Sequence, residues 1–245
     1  MEKSKTPKFG LTNNQLKIIA MVSMALDHIG LLFFPNISVF RILGRIAFPI
    51  FAYMIAEGCR YTKNRAKYLG MIAGMGILFQ VVFFVAMESL YQGILVTFSL
   101  AIITIYSIDG ILHAKKLWGR LAALTSLAFV AVFVFVLPKL LTGTDFDIDY
   151  GVWGILLPVA VYFLPSRVWR VIGIAALLVA RAIHYTAFPD GSLGLLQWFS
   201  LITIPLLALY NGERGRAKMK YVFYIFYPAH LVVLYGLAML IELLK

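Results

Sequence analysis

Asp27 and His28 stand side by side within an apolar stretch, Met24-Ala-Leu-Asp27-His28-Ile-Gly30. Neighbours on a helix point about 100° apart, so the two side chains cannot serve each other as a catalytic dyad. Each needs a partner from another segment. Arg41 and Arg45 follow after a short break, and their i,i+4 spacing puts both on one face. Asp27 is therefore matched to Arg41 or Arg45. That leaves His28 available as a base that deprotonates an amine or hydroxyl, or as a nucleophile that carries a group. The competing reading is an Asp–Arg pair that pins two helices beside a hydrogen-bonded core histidine. Further along, Arg181 and His184 are spaced i,i+3 and share a face. An arginine at membrane depth binds an anion such as a phosphate or carboxylate, or snorkels to the interface. His230 closes the stretch Tyr224-Ile-Phe-Tyr227-Pro228-Ala-His230. There Pro228 breaks the backbone ladder and frees a carbonyl, making either a polar site or a kinked packing helix. Glu57 lies three residues before Arg60, as a helix-end ion pair would, and Asn211-Gly212 reads as a tight turn. His113 beside a basic loop reads as an interfacial bystander. No HExxH, HxxxH, P-loop or GxGxxG occurs, so no metal and no soluble nucleotide-binding mode is expected.

These groups are costly where they stand, because the chain around them is built for lipid. Of its 245 residues, 62% are apolar and 13% charged, against about half and a quarter in a soluble domain. The apolar residues fall in blocks near the length needed to cross a hydrocarbon core. Nine spans are expected, at 16–34, 42–58, 68–87, 94–112, 121–141, 152–164, 168–187, 193–210 and 221–244, the sixth being short. The reading is an all-α polytopic bundle of about nine (eight to ten) helices, in one transmembrane domain over 1–245 with a polar segment at 1–15. Cys59 is the one cysteine, which excludes an internal disulfide.

Loop charge orients the spans. With the N-terminus inside, the inner segments hold Lys3, Lys5, Lys8, Lys17, then Arg60, Lys63, Arg65, Lys67, then Lys115, Lys116, Arg120, then Arg167, Arg170, then Arg214, Arg216, Lys218 and Lys220. That is 17 of the 22 basic residues, while the outer loop 142–150 carries Asp145, Asp147 and Asp149. The bias alternates as nine crossings require, predicting a multi-pass protein of the inner, cytoplasmic membrane with its N-terminus in and C-terminus out. It also accounts for the net charge of +11 without nucleic acid.

The stretches Met24-Ala-Leu-Asp27-His28-Ile-Gly30, Arg41-Ile-Leu-Gly44-Arg45-Ile-Ala-Phe48-Pro49-Ile-Phe51…Glu57-Gly58, Asp149-Tyr150-Gly151…Gly154, Tyr210-Asn211-Gly212…Gly215 and Tyr224-Ile-Phe-Tyr227-Pro228-Ala-His230 run in this order along nearly the whole chain. Together they resemble the TraX family. Its namesake is linked to N-terminal acetylation of a conjugative pilin subunit. The family is grouped with membrane acyltransferases of the family 3 and heparan-α-glucosaminide acetyltransferase types. By that resemblance His28 takes the place of the histidine implicated in moving an acyl group across the membrane, and Arg45…Phe48-Pro49 matches the arginine–FP element of the second helix.

The resemblance implies an acyl-CoA-dependent membrane acyltransferase, with acetyl-CoA as donor and a peptide N-terminus, glycan or lipid-linked molecule as acceptor. On that reading His28 is the catalytic base, supported by Asp27, Arg41 and Arg45. Glu57, Arg181, His184, Asn211, Tyr227 and His230 line the donor or acceptor path. Two other classes stay open: a transporter or flippase of an anionic substrate, and an assembly factor for a surface polymer or pilus with no chemistry of its own.

Overall fold

A computed structural model describes residues 9–188, 194–215 and 220–244, the last without the side chains of Lys220, Tyr221 and Tyr224. Lys3, Lys5, Lys8, Arg216, Lys218 and the start of the expected eighth span at Leu193 lie outside the described residues. The described residues are α-helical and contain no strand beyond two isolated bridges. In chain order the helices are α1 (Asn13–Phe33), α2 (Ser38–Gly44), α3 (Ala47–Tyr61), α4 (Arg65–Met87) and α5 (Ile94–His113). Then come α6 (Leu117–Leu140), α7 (Gly151–Phe163), α8 (Arg167–Ala187), α9 (Leu195–Ala208) and α10 (Lys220–Leu243). Among the described residues, seven apolar helices are long enough to cross a membrane: α1, α2 with α3, α4, α5, α6, α8, and Ile225–Leu243 of α10. The chain is a membrane protein.

The α7 and α9 segments are shorter. The 13 residues of α7 reach about 20 Å, against a hydrocarbon core of about 30 Å. In α9, Leu195–Ile202 is a 3-10 helix and only Thr203–Ala208 is α-helical. Pro205 supplies no N–H and would clash with the carbonyl four residues back, so the chain before it tightens. Because a 3-10 helix rises about 2 Å per residue, α9 still extends roughly 25 Å.

Prolines also shape α3 and α6, each through the residue four before it. Pro49 cannot bond the carbonyl of Arg45, and the helix breaks there: Arg45 N–H bonds Ile42 and Ile46 N–H bonds Leu43 in tight turns before α3 begins. The expected second span is thus two helices with Arg45 at the break. In α6 the residue opposed by Pro138 is Val134, inside a π-turn at Val132–Val136. Pro228 acts more mildly than expected. The helix α10 runs unbroken past it, since one missing donor leaves the flanking turns bonded.

The chain divides into two compact units, Met1–Phe51 with Ile174–Lys245, and Ala52–Gly173. In the first, α1 packs on α2 and α10, and α2 on the 3-10 part of α9. Its start is clamped. Thr12 caps α1, its hydroxyl accepting from Gln15 N–H while the Gln15 side chain accepts from Thr12 N–H. Leu11 N–H bonds Leu209, Asn13 N–H bonds Glu213 and Asn14 N–H bonds Arg214. Gly215 adopts φ +87, and a Cβ there would press on Thr12 and Asn14. The Tyr210-Asn211-Gly212…Gly215 stretch is the seat for the first helix.

In the second unit α5 packs on α4, α6 and α7, around Leu100, Ala101, Val130, Ile148 and Ile155. One end of this unit is tied by charge. Glu57, 3% exposed, accepts from Arg60 and from Arg170 at 3.1 Å, and Arg60 also donates to the carbonyls of Val161 and Tyr162 that close α7. Arg65 pairs with Asp109 at 2.6 Å. In the loops, the Ser89 hydroxyl and Leu90 N–H bond Asp145 and hold its carboxyl below the usual range.

Candidate functional site

Six of the expected site residues converge in the first unit, on α1, the α2–α3 break and α10. Asp27 accepts two hydrogen bonds from one guanidinium nitrogen of Arg45, at 2.6 and 2.8 Å, and pairs with Arg41 at 3.1 Å. Arg45 Nε–H donates to the Arg41 backbone carbonyl at 3.2 Å, closing a ring of three residues over the break. The sequence leaves open which arginine holds Asp27; both do. This cluster carries one positive charge in excess.

Gly44 makes that geometry possible. A Cβ at Gly44 would lie 2.2 Å from an Asp27 carboxylate oxygen and 2.4 Å from its Cβ. At Gly30 a Cβ would lie 2.5 Å from the Cβ of Phe40. The α1–α2 pair thus closes on two glycines, as small residues allow between membrane helices. Gly44→Ala is expected to cost about 1–3 kcal/mol by overpacking. Gly70→Ala, where nothing lies within 4 Å of the new methyl, is expected to be neutral or stabilising by up to about 1 kcal/mol. Thermal unfolding of both variants in detergent checks the contrast.

Among the described residues His28 has no hydrogen bond to the ring of charges. Its Nδ1 lies 2.9 Å from the Met24 carbonyl. A carbonyl only accepts, so Nδ1 carries a proton, and in the neutral ring Nε2 presents a bare lone pair. His230 repeats the device on α10, with Nδ1 2.9 Å from the Phe226 carbonyl, and its buried Nε2 has no hydrogen-bond partner among the described residues. The two imidazoles meet edge to face with centroids 5.0 Å apart. His113 makes the same local bond, to Asp109, so the bond itself is ordinary for a helical histidine. What differs is the destination of Nε2: the side chain of His113 is 72% exposed, whereas His28 and His230 meet inside the unit. Phe226 stacks on His230 at 4.9 Å and Tyr227 lies 6.0 Å from it.

The remaining residues separate. Arg181 is buried, with the rings of Phe48 and Tyr185 each 5.3 Å from its guanidinium. Phe48 of the FP element therefore holds an arginine. His184 is exposed and packs on Tyr185 and Phe188, so the i,i+3 spacing did not carry it to the buried side with Arg181. Asn211 joins the clamp on α1, its backbone bonding Leu11 and its side chain accepting from Glu213 N–H. Glu57 is bound to Arg60 and Arg170 in the second unit.

Sequence reasoning missed Gly44, whose role depends on helix approach, and Gln197, Ser200 and Thr203, buried polar side chains of α9. The Oε1 of Gln197 and the hydroxyl of Thr203 have no hydrogen-bond partner among the described residues. Polar residues three apart in an apolar block were the signal for the latter, at the period of a 3-10 turn.

Residues 12–238 match the family model described as TraX protein. A probable fimbrial assembly protein, FimC of serogroup H1 from Dichelobacter nodosus, is 25% identical over 93% of this chain and 96% of its own length. Protein TraX of Escherichia coli is 27% identical over 91% of this chain and 86% of its own. An uncharacterized Rickettsia prowazekii protein, RP591, is 38% identical over 24% of each chain. No solved structure gives a significant match.

Proposed function

Because this chain belongs to the TraX family, we propose that it is an integral-membrane acyltransferase, moving an acetyl group from cytoplasmic acetyl-CoA to an amine or hydroxyl presented towards the outer side of the inner membrane. The observation that carries this reading is the Nδ1 of His28 fixed by the Met24 carbonyl, which leaves Nε2 for chemistry, beside an Asp27 locked by Arg41 and Arg45. A base for acyl transfer needs an unprotonated nitrogen held in a defined direction. The three-charge cluster holds that direction, and its excess positive charge favours the oxyanion of a tetrahedral intermediate.

The orientation follows the loop charges, with the N-terminus in the cytoplasm and the C-terminus out. His28 lies 15 residues into α1, about 22 Å along it, beyond the middle of a core about 30 Å thick. A donor arriving from the cytoplasm must therefore pass its acyl group part-way through the membrane, along residues such as Arg181 and Tyr227.

A second reading is a pilus or surface-polymer assembly factor without chemistry, which the name of the Dichelobacter nodosus relative favours. Purified protein in detergent, given radiolabelled acetyl-CoA and a short peptide with a free α-amino group, is expected to label the peptide. Protein that neither binds acetyl-CoA nor labels peptide, glycan or lipid-linked acceptors would sink the enzyme reading and leave the assembly role.

A further inference from the structure

Lys17 lies inside α1, beyond the loop before it, and its ammonium sits over the Phe223 ring of α10 at 5.0 Å. No ion pair among the described residues includes Lys17 or Arg214. Arg214 is exposed, and the clamp on α1 fixes its position: its carbonyl accepts from the N–H of Asn14, one turn before Lys17. Two cations at the inner end of a span follow from topology alone. Their alignment with His28 does not.

Lys17 and His28 are 11 residues apart, three turns of helix. Their side chains leave α1 within roughly 20° of each other and about 16 Å apart along the axis. Phe223 and His230 meet them in the same order on α10, so the two helices run parallel and both residues face one seam. Lys17 and His28 are each half-buried. Between them on the same stripe lie Met21 and Met24, whose unbranched side chains repack around a ligand.

The phosphopantetheine arm of an acyl thioester has the same measure. From its phosphorus to its sulfur it counts about 13 bonds, and an extended chain that gains about 1.2 Å per bond reaches about 16 Å. We propose that Lys17 and Arg214 bind the phosphate of this arm, and that the seam between α1 and α10 measures the arm so that its thioester arrives at His28. Ammonium and guanidinium both form charge-assisted hydrogen bonds to a phosphate, which gives the two cations their counter-ion. This inference rests on the acyl-transfer reading, with the N-terminus in the cytoplasm, and deepens it. The donor is recognised by the phosphate of its arm, and the nucleotide of CoA is dispensable.

Label transfer to a peptide is followed in detergent from three thioesters: acetyl-CoA, acetyl-phosphopantetheine, which lacks the nucleotide, and acetyl-pantetheine, which also lacks the phosphate. Acetyl-phosphopantetheine is expected to match acetyl-CoA in kcat/KM to within about 3-fold, and acetyl-pantetheine to fall roughly 10- to 100-fold below both, as loss of hydrogen bonds to a charged group predicts. Lys17→Gln is expected to remove that preference, bringing the phosphorylated donors down to the level of acetyl-pantetheine, whereas Lys17→Arg keeps it. Arg214→Gln is expected to remove part of it. A phosphorylated donor without the β-alanine unit of the arm is about 5 Å shorter. It is expected to compete with acetyl-CoA for binding yet to transfer roughly 100-fold more slowly, because its thioester stops short of His28. Equal use of all three donors, a requirement for the nucleotide, an equal loss from Lys17→Gln on every donor, or normal transfer from the short arm overturns the phosphate ruler while acyl transfer stands. Wild-type protein that transfers from none of them overturns the underlying reading, and the ruler with it. Lys17→Met, which keeps an unbranched stem, serves if the glutamine variant does not fold, and is held to the same comparison of donors.

Discussion

His28→Asn is expected to lower acetyl transfer by about 10²- to 10⁴-fold, the usual contribution of a general base, with little change in stability. The asparagine amide sits where Nδ1 sits and keeps a donor for the Met24 carbonyl, which His28 engages at 2.9 Å. The Asp27 cluster does not use the imidazole, so the α1–α2 contact survives. What disappears is Nε2. The measurement pairs label transfer with thermal unfolding in the same detergent. A folded variant that transfers at the wild-type rate removes His28 from the mechanism. A variant that loses substrate flux across vesicles, in protein that transfers no label, shifts the case to a transporter.

Much of the frame was legible because it rests on local pattern. Apolar block length found the seven long helices. Pro49 marks a disturbance in the second span, since a proline acts on the carbonyl four residues before it whatever surrounds it. The pairing of Asp27 was legible as a class, because a carboxylate at membrane depth needs a cation, but sharing between Arg41 and Arg45 depends on the chain turning at Arg45. Gly44 looked like any glycine: its meaning lies in how near Asp27 comes, a fact of the α1–α2 approach. The contact between His28 and His230 joins residues 202 positions apart, and no spacing rule reaches that far. His184 shows the opposite failure. Helical period places it near Arg181, yet a surface arc of one helix can hold both a buried and an exposed residue, and packing alone decides between them. Asn211 was read as a turn and as a site residue; its bonds to Leu11 and Glu213 serve the turn.

Asp27→Ala is expected to destabilise the protein by about 3–5 kcal/mol, the range for removing one partner of a buried pair. Two guanidinium groups would be left against each other, with side chains 14% and 7% exposed at Arg41 and Arg45. Removing a cation is milder, because the other still neutralises Asp27. Arg45→Ala is expected to cost more than Arg41→Ala, since Arg45 is the more buried and makes both short bonds to the carboxylate. The double variant Asp27→Leu with Arg45→Leu separates charge from position. It keeps the net charge of the native cluster and replaces a buried pair by apolar groups, a change that is often neutral or stabilising. Its unfolding midpoint is expected to recover most of the loss seen in Asp27→Ala. Transfer activity is not expected to recover with it, because the carboxylate–guanidinium bonds hold α1 against the Arg45 break and aim the neighbouring His28. Recovery of both together would mean that the cluster serves folding alone, and that the direction of His28 is set by Met24 and the packing of α10.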